Sequence, residues 1–171
     1  MKYSCITRLP LEPPADDLAT DKPWEKFAQW YEDASRAGIK DPSVVCLATA
    51  TRCGAPSCRM VLLKEHGEKG FVIYSNSLSR KGREMEMNPQ AALCFYWPEL
   101  GQQIRIEGHV AKISDEEADA YFRSRPLKSR IGAWASQQSE PMRDKSELLK
   151  RVAHYTAKWA MGQVERPPYW T

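Results

Sequence analysis

Residues 59–64 read Arg-Met-Val-Leu-Leu-Lys, an apolar stretch with a cation at each end. The apolar centre is too hydrophobic to remain in water, so we expect it to lie in a β-sheet. Arg59 and Lys64 can then emerge at the rim of the sheet, where an Arg fork and a Lys point charge suit a bound phosphate. A core strand whose charged ends reach solvent explains the same six residues equally well, so both interpretations stay open at this point.

A second group of cations follows this strand closely. Tyr74-Ser75-Asn76 is succeeded by Ser79-Arg80-Lys81. Ser79 is a good N-cap, so a short helix should begin there with both cations in its first turn. The free N–H groups and the dipole of a helix N-terminus attract anions. The pattern therefore indicates a second phosphate contact, with a solvated helix face as the alternative.

The rest of the chain alternates short β patterns with a few helical ones. Strand patterns occupy residues 44–51, 57–64, 71–75, 91–96 and 103–110. Helical patterns begin at Trp24 (with Thr20 or Asp21 as cap), Ser79, Ser114, Ser129 and Leu148. Antiparallel strands joined by short turns avoid exposed edges best by closing into a barrel. We predict a mainly β (α+β) fold, an antiparallel barrel with peripheral helices over residues 20–171, preceded by a flexible, Pro-rich arm over residues 1–19.

Composition excludes several classes of function. The 171 residues carry a net charge of only +3, which is too mild to indicate nucleic-acid binding. The longest apolar run, Val44 to Ala50, is far shorter than the roughly 20 residues of a membrane span. Five cysteines without a CxxC pair, and three isolated histidines, give no metal-ligand pattern. We therefore expect a soluble, reduced, cytoplasmic protein that binds no metal, membrane or nucleic acid.

The order and spacing of nine short motifs are much more specific than any one of them. These motifs are Arg59 to Lys64, Tyr74 to Asn76, Ser79 to Gly82, Asn88-Pro89, Phe95 to Trp97, Gln103 to Gly108, Tyr121 to Pro126, Ile131 to Ala133 and Ser136 to Ser139. Together they resemble the pyridoxine 5′-phosphate oxidase family of the FMN-binding split-barrel superfamily, from about Trp24 to Trp170. The resemblance implies that the barrel is a split barrel.

The resemblance also implies FMN as the cofactor, with no catalytic side chain needed for the hydride transfer itself. The residues that match the family's contacts to the flavin phosphate and ribityl chain are Arg59, Lys64, Ser75, Arg80 and Lys81. Those that match its contacts to the flavin ring are Met60, Val61, Leu62 and Tyr74. Contacts from a partner subunit match Gln103, Gln138 and Ser139, which implies a homodimer with FMN at its interface. Without the family, core and polar-surface roles would explain these last two groups.

The implied substrates are pyridoxine and pyridoxamine 5′-phosphate, with Lys64, Tyr121, Arg125 and Ser129 matching the grip on their phosphate. Tyr121 and Arg125 are four residues apart and would share one helix face, with Ser129 just beyond Pro126. An Arg that caps a helix end explains the spacing equally well. The implied reaction oxidises the 4′ carbon with O₂ as acceptor, so that pyridoxal 5′-phosphate and H₂O₂ form, and ammonia is released from the amine.

Family members usually continue beyond the segment that matches Pro167 to Trp170, into a Gly-Gly turn, a strand with Trp-Gln-Gly and an Arg-Leu-His-Asp-Arg motif. The present sequence ends at Thr171. We expect flavin binding to depend less on that segment than substrate orientation does. Three hypotheses follow: an active oxidase, a flavin- or pyridoxal-phosphate-binding protein with weak or no turnover, and a split-barrel flavoenzyme that uses another substrate, such as a phenazine-pathway oxidase or a flavin reductase.

Overall fold

The computed structural model describes residues 22–171. Its helices are α1 (Pro23–Arg36), α2 (Arg80–Met87), α3 (Asp115–Ser124), α4 (Leu127–Ala135) and α5 (Lys145–Lys158), and its strands are β1 (Val44–Ala50), β2 (Pro56–Gly67), β3 (Gly70–Ile73), β4 (Gln90–Trp97) and β5 (Gln102–His109). The predicted arm over residues 1–19 lies outside the described residues. None of the helices within residues 22–171 has the length and apolar character that crossing a bilayer requires.

The start of α1 differs from the prediction. The N-cap is Lys22, which makes no side-chain cap hydrogen bond, and not Thr20 or Asp21. Pro23 occupies the first turn of the helix. Because proline has no backbone N–H and its φ is already helical, this helix start needs a polar cap less than most.

The five strands form one antiparallel sheet in the order β3-β2-β1-β4-β5. Central strand β1 alternates buried and half-buried residues, and Val45 and Leu47 face the core. Helix α1 covers this inner face, where the Phe27 ring packs edge-on against Phe95 at 5.2 Å between centroids. The mainly β fold with peripheral helices is confirmed.

One edge of β2 is left partly open. Strand β3 pairs with β2 only from Leu63 to Gly67, and its chain then departs from the sheet. The Leu63 N–H donates to Ser43 O at 2.8 Å, on the β1 side. Because strand geometry alternates, the N–H and C=O groups of Met60 and Leu62 point to the opposite side. No strand within residues 22–171 pairs with them there.

Helix α2 is fixed against the loop that precedes it. The Ser79 hydroxyl caps the helix by accepting from the Gly82 N–H. A Cβ at Gly82 would lie 2.2 Å from the backbone oxygen of Ser77, so only glycine permits this approach. The end of the chain joins the same loop, since Asn76 and Trp170 form an isolated antiparallel bridge. These contacts hold the start of α2 beside the open edge of β2.

Candidate functional site

A cleft of about 760 Å³ lies along the open edge of β2. Its lining contains the five cations Arg59, Lys64, Arg80, Lys81 and Arg125. No acidic residue of the described chain lines it. A concave surface with this charge distribution favours an anionic ligand, and its size fits a small molecule.

The cleft brings together nearly all the site residues that the sequence predicts. Those that line it are Arg59, Met60, Val61, Leu62, Lys64, Tyr74, Ser75, Arg80, Lys81, Tyr121, Arg125, Ser129, Gln138 and Ser139. Gln103 does not line it and lies exposed on β5, opposite Tyr96 of β4. Gln138 and Ser139 line the cleft of their own chain. The segment that follows α4 returns toward α2 and carries them there. A contribution of these residues to the site of a partner subunit stays a prediction.

Arg59 is held in place by a polar network on the inner face of the sheet. One terminal nitrogen donates to Thr49 Oγ1 at 2.6 Å and to Leu47 O at 3.1 Å. The other donates to the Ser57 hydroxyl and, at 3.4 Å, to a carboxylate oxygen of Glu84. The guanidinium therefore has a fixed orientation at the wall of the cleft.

Glu84 of α2 is the buried centre of this network, with only 3% of its surface exposed. Its Oε2 accepts from the Thr49 and Ser57 hydroxyls, each at 2.5 Å, and its Oε1 accepts from Arg80 Nε at 2.9 Å. Burial by itself would raise the pKa of Glu84, but the hydrogen bonds from Ser57, Thr49 and Arg80 outweigh burial and lower the pKa to about 2. Glu84 is thus a permanent anion behind two cations of the cleft.

The sequence interpretation missed Glu84. The one available signal was its position four residues after Arg80, which places the two side chains on one helix face. Most such pairs are solvent-exposed, so the spacing alone did not distinguish a buried carboxylate from a surface ion pair.

Lys81 is the most enclosed cation of the cleft, with a relative exposure of 6%. Its Nζ donates to Gln138 Oε1 at 2.7 Å and to Ser79 Oγ at 3.1 Å. Burial, followed by repulsion from Arg59, lowers the pKa of Lys81 to about 8. Neither hydrogen-bond partner is charged, so an anion in the cleft would supply the missing counter-charge.

Three parallel aromatic rings form the other end of the cleft. Tyr74 stacks on Tyr121 at 3.9 Å and on Trp170 at 5.2 Å between centroids. Burial, and then the nearby Glu65 carboxylate, raises the pKa of Tyr74 to about 12, so its hydroxyl stays protonated. Trp170 is a lining residue that the sequence interpretation included only in the resemblance, without a role.

Arg125 lies over the Trp170 ring, with its guanidinium carbon 4.7 Å from the centroid. It lies just beyond the end of α3, and not inside the helix as predicted, because a residue before proline disfavours helical backbone. Its Nη1 and the hydroxyl of Ser75 are buried without a hydrogen-bond partner in the described chain. Both residues line the cleft, and orphaned buried donors of this kind fit a ligand rich in phosphate oxygens.

The site also offers separate groups for the two polar parts of a flavin nucleotide, its phosphate and the polar edge of its ring. The cation cluster at α2 would hold the phosphate, and the open edge at Met60 and Leu62 offers backbone donors and acceptors to a polar ring edge. The described residues contain no group of three or more His, Cys, Asp or Glu placed to hold a metal ion. The cations of the lining and the open edge of β2 together fit FMN.

Comparisons with known proteins show which family the chain belongs to. The family model described as pyridoxamine 5′-phosphate oxidase matches residues 31–159. The pyridoxine/pyridoxamine 5′-phosphate oxidase of Brucella canis is 51% identical over 158 residues, covering 92% of this chain and 78% of the relative. That of Brucella abortus strain 2308 is also 51% identical over 158 residues, covering 92% of this chain and 76% of the relative.

Solved structures extend the likeness to the fold. PhzG from Burkholderia lata 383, crystallised with tetrahydrophenazine-1-carboxylic acid, is 30% identical with a TM-score of 0.84, covering 90% of this chain and 75% of its own. A pyridoxamine 5′-phosphate oxidase-related, FMN-binding protein from Nostoc punctiforme PCC 73102 shares the fold at 15% identity and a TM-score of 0.64, covering 88% of this chain and 79% of its own. With its split-barrel fold and the extent of these matches, the chain belongs to the pyridoxamine 5′-phosphate oxidase family.

Proposed function

We propose that the protein binds FMN in the cleft and oxidises pyridoxine or pyridoxamine 5′-phosphate to pyridoxal 5′-phosphate, in vitamin B6 metabolism. The observation that carries this proposal is the charge in the cleft: five cations, no acidic lining residue in the described chain, and the two orphaned groups of Ser75 and Arg125. Two phosphates, one from the cofactor and one from the substrate, would account for that arrangement better than one. Names of relatives at 51% identity support the same assignment.

In this proposal one group of cleft residues binds the cofactor and another binds the substrate. Arg59, Arg80 and Lys81, with Ser75, would hold the flavin phosphate and ribityl chain, and the segment from Met60 to Leu62 would border the ring. Lys64, Tyr121, Arg125 and Ser129 would anchor the substrate phosphate, so that the pyridine ring stacks at the flavin. Gln103, Gln138 and Ser139 would complete the flavin contacts.

The chemistry that FMN would supply when bound is redox: acceptance of a hydride from the 4′ carbon and reduction of O₂ to H₂O₂, and with the amine substrate water would hydrolyse the resulting imine and release ammonia. The chain's own residues would orient and enclose the reactants. The stacked rings of Tyr74, Tyr121 and Trp170 exclude water from one wall, and the protonated Tyr74 hydroxyl adds no charge there. No side chain is required as a nucleophile.

We further propose a homodimer formed through the outer face of the sheet. Met60 and Tyr96 lie on this face with 61% and 65% of their surfaces exposed, and Leu62 adds 41%. An apolar patch of this kind favours a protein interface. Gln103 lies opposite Tyr96 on the same face, so a second copy packed there could bring its Gln103 toward the cleft. Light scattering should give twice the chain mass for the wild type and the monomer mass for Tyr96→Glu.

The cysteines that the structure describes are free, which supports a reduced, cytoplasmic compartment as part of the proposal. The second candidate is a binding protein of the same fold with weak or no turnover. It would bind FMN or pyridoxal phosphate, and a cation-lined cleft that fits an anionic ligand would be sufficient for it.

Aerobic turnover tests the two candidates directly. The purified chain, supplied with FMN and pyridoxine 5′-phosphate, should form pyridoxal 5′-phosphate and H₂O₂ in equal amounts. Tight FMN binding without product would favour the binding protein. Failure to bind FMN would contradict the oxidase and would leave only a protein that binds pyridoxal phosphate.

A further inference from the structure

Glu84 has no assigned role in the proposed function, yet it joins two of the cations on which that function depends. It is a charged side chain with 3% exposure, and it does not line the cleft among the described residues. Its two carboxylate oxygens have different partners, with Arg80 on Oε1 and the Thr49, Ser57 and Arg59 donors on Oε2. Its only route to a ligand in the cleft is therefore through other side chains.

The geometry points to Glu84 as the positioning residue of the anion grip: it fixes Arg59 and Arg80 in the orientations that receive the phosphate of FMN. This inference rests on the proposed function, because it presumes that FMN is the ligand.

The hydrogen bonds of the two arginines show how the positioning works. Arg80 uses Nε for Glu84, and its two terminal nitrogens make no hydrogen bond within the described chain. Those two nitrogens form one side of the guanidinium fork, which can grip two phosphate oxygens in parallel. Arg80 is 61% exposed at its side chain, so without Glu84 it would sample many rotamers and lose entropy on binding.

Glu84 orients Arg59 differently, through the hydroxyl groups of Ser57 and Thr49. Ser57 donates to Glu84 and accepts from Arg59, and Thr49 does the same. The carboxylate therefore sets the direction of both hydroxyl groups, whose lone pairs then face the guanidinium. A neutral group in place of the carboxylate would remove that order at β1 and β2 together.

The negative charge of Glu84, taken without its ordering of the two arginines, would weaken the binding of a phosphate. An anion buried behind the cations reduces their attraction for a phosphate, so removal of that charge without loss of order would tighten binding. We infer that the ordering of the two arginines by Glu84 outweighs its repulsion of the phosphate. Without the carboxylate, Arg59 would lie beside a neutral amide and would have to be reoriented when the ligand binds. The sign of the change in affinity thus separates the two effects.

The test compares FMN with riboflavin, which has the same ring and ribityl chain but no phosphate. Dissociation constants for both are measured by flavin fluorescence with wild type and Glu84→Gln. We expect the variant to bind FMN roughly ten- to hundredfold more weakly, the size of a lost charge-assisted hydrogen bond. Riboflavin affinity should change less than about threefold, because a general loss of structure would weaken both ligands alike.

Matched variants support the comparison. Glu86→Gln removes an exposed carboxylate of the same helix and should leave both affinities unchanged. Thr49→Val removes one link between Glu84 and Arg59 at a residue that does not line the cleft, and should give a smaller, still phosphate-specific loss, which tests the inference even if Glu84→Gln fails to fold. An equal loss for both flavins, an unchanged FMN affinity or a tighter one would overturn the role of Glu84. A wild type that binds FMN no better than riboflavin would overturn the proposed function as well.

Discussion

Lys81 Nζ donates to Gln138 Oε1 across 2.7 Å, and so joins the first turn of α2 to the segment that follows α4. The two residues are 57 positions apart in the chain. Their contact closes one end of the cleft, and among the residues 22–171 that the structure describes the Lys81 ammonium has no charged partner.

This environment predicts a pH dependence of FMN affinity. Because the pKa of Lys81 is lowered to about 8, the free protein loses this charge as the pH rises through 8, whereas a bound phosphate would retain it. FMN affinity should therefore fall by roughly tenfold between pH 7 and pH 9. Fluorescence titrations at several pH values measure it. Lys81→Arg keeps its charge over that range and should show a flat profile; a flat wild-type profile would contradict the prediction.

Removal of either Arg59 or Arg80 should weaken the binding of FMN. Arg59→Ala and Arg80→Ala each lose charge-assisted contacts, and we expect each to lower FMN affinity by roughly 1.5 to 3 kcal/mol. Arg83→Ala is the control, since Arg83 lies on the same helix but pairs with Glu140 outside the cleft. Unchanged affinity in both variants would refute the assignment of the flavin phosphate.

Arg125 should act on the substrate and not on the cofactor. Arg125→Lys keeps the charge but loses the planar fork that lies over Trp170. We expect the KM for pyridoxine 5′-phosphate to rise by about tenfold while FMN affinity stays within a factor of about two. Arg123→Lys, at an exposed position of α3, is the matched control for steady-state kinetics. An effect on FMN alone would show that Arg125 belongs to the cofactor end.

Gly82 should be intolerant of any side chain. Gly82→Ala would place a methyl group 2.2 Å from the Ser77 backbone oxygen, so α2 has to shift and carry Arg80 and Lys81 with it. We expect the free energy of unfolding to fall by about 1 to 3 kcal/mol in urea denaturation, together with weaker FMN binding. Gly108→Ala, where no atom lies within 4 Å of the added Cβ, should change neither. Wild-type stability in Gly82→Ala would contradict the close contact.

Local patterns were sufficient for most of the secondary structure. Ser79 and the Ser114–Glu117 capping box begin α2 and α3 as predicted, because caps act on neighbouring N–H groups. Alternation along β5 likewise predicted its half-buried face. Sequence periodicity reports such short-range preferences directly, and the family resemblance supplied the cleft residues that lie far apart in the chain.

The features that were missed depend on long-range packing. Whether Glu84 is buried depends on how α2 docks on β1, which no spacing within the helix reveals. Gln138 reaches its own chain's cleft through a turn after α4, and that path is likewise not encoded in a local pattern. The end of α3 at Ser124, close to Pro126, does follow from the local sequence, since proline restricts the backbone of the residue before it.

Because β3 departs from the sheet after Ile73, a bound flavin would have a structural role as well as a chemical one. Backbone groups of Met60 and Leu62 that would face a neighbouring strand face the cleft instead. A flavin ring seated there would stand in for a missing strand and complete the hydrogen bonding of β2. Cofactor loading should then slow amide hydrogen exchange at these two positions, so that the holoprotein gains protection in the middle of its sheet and not only at the rim.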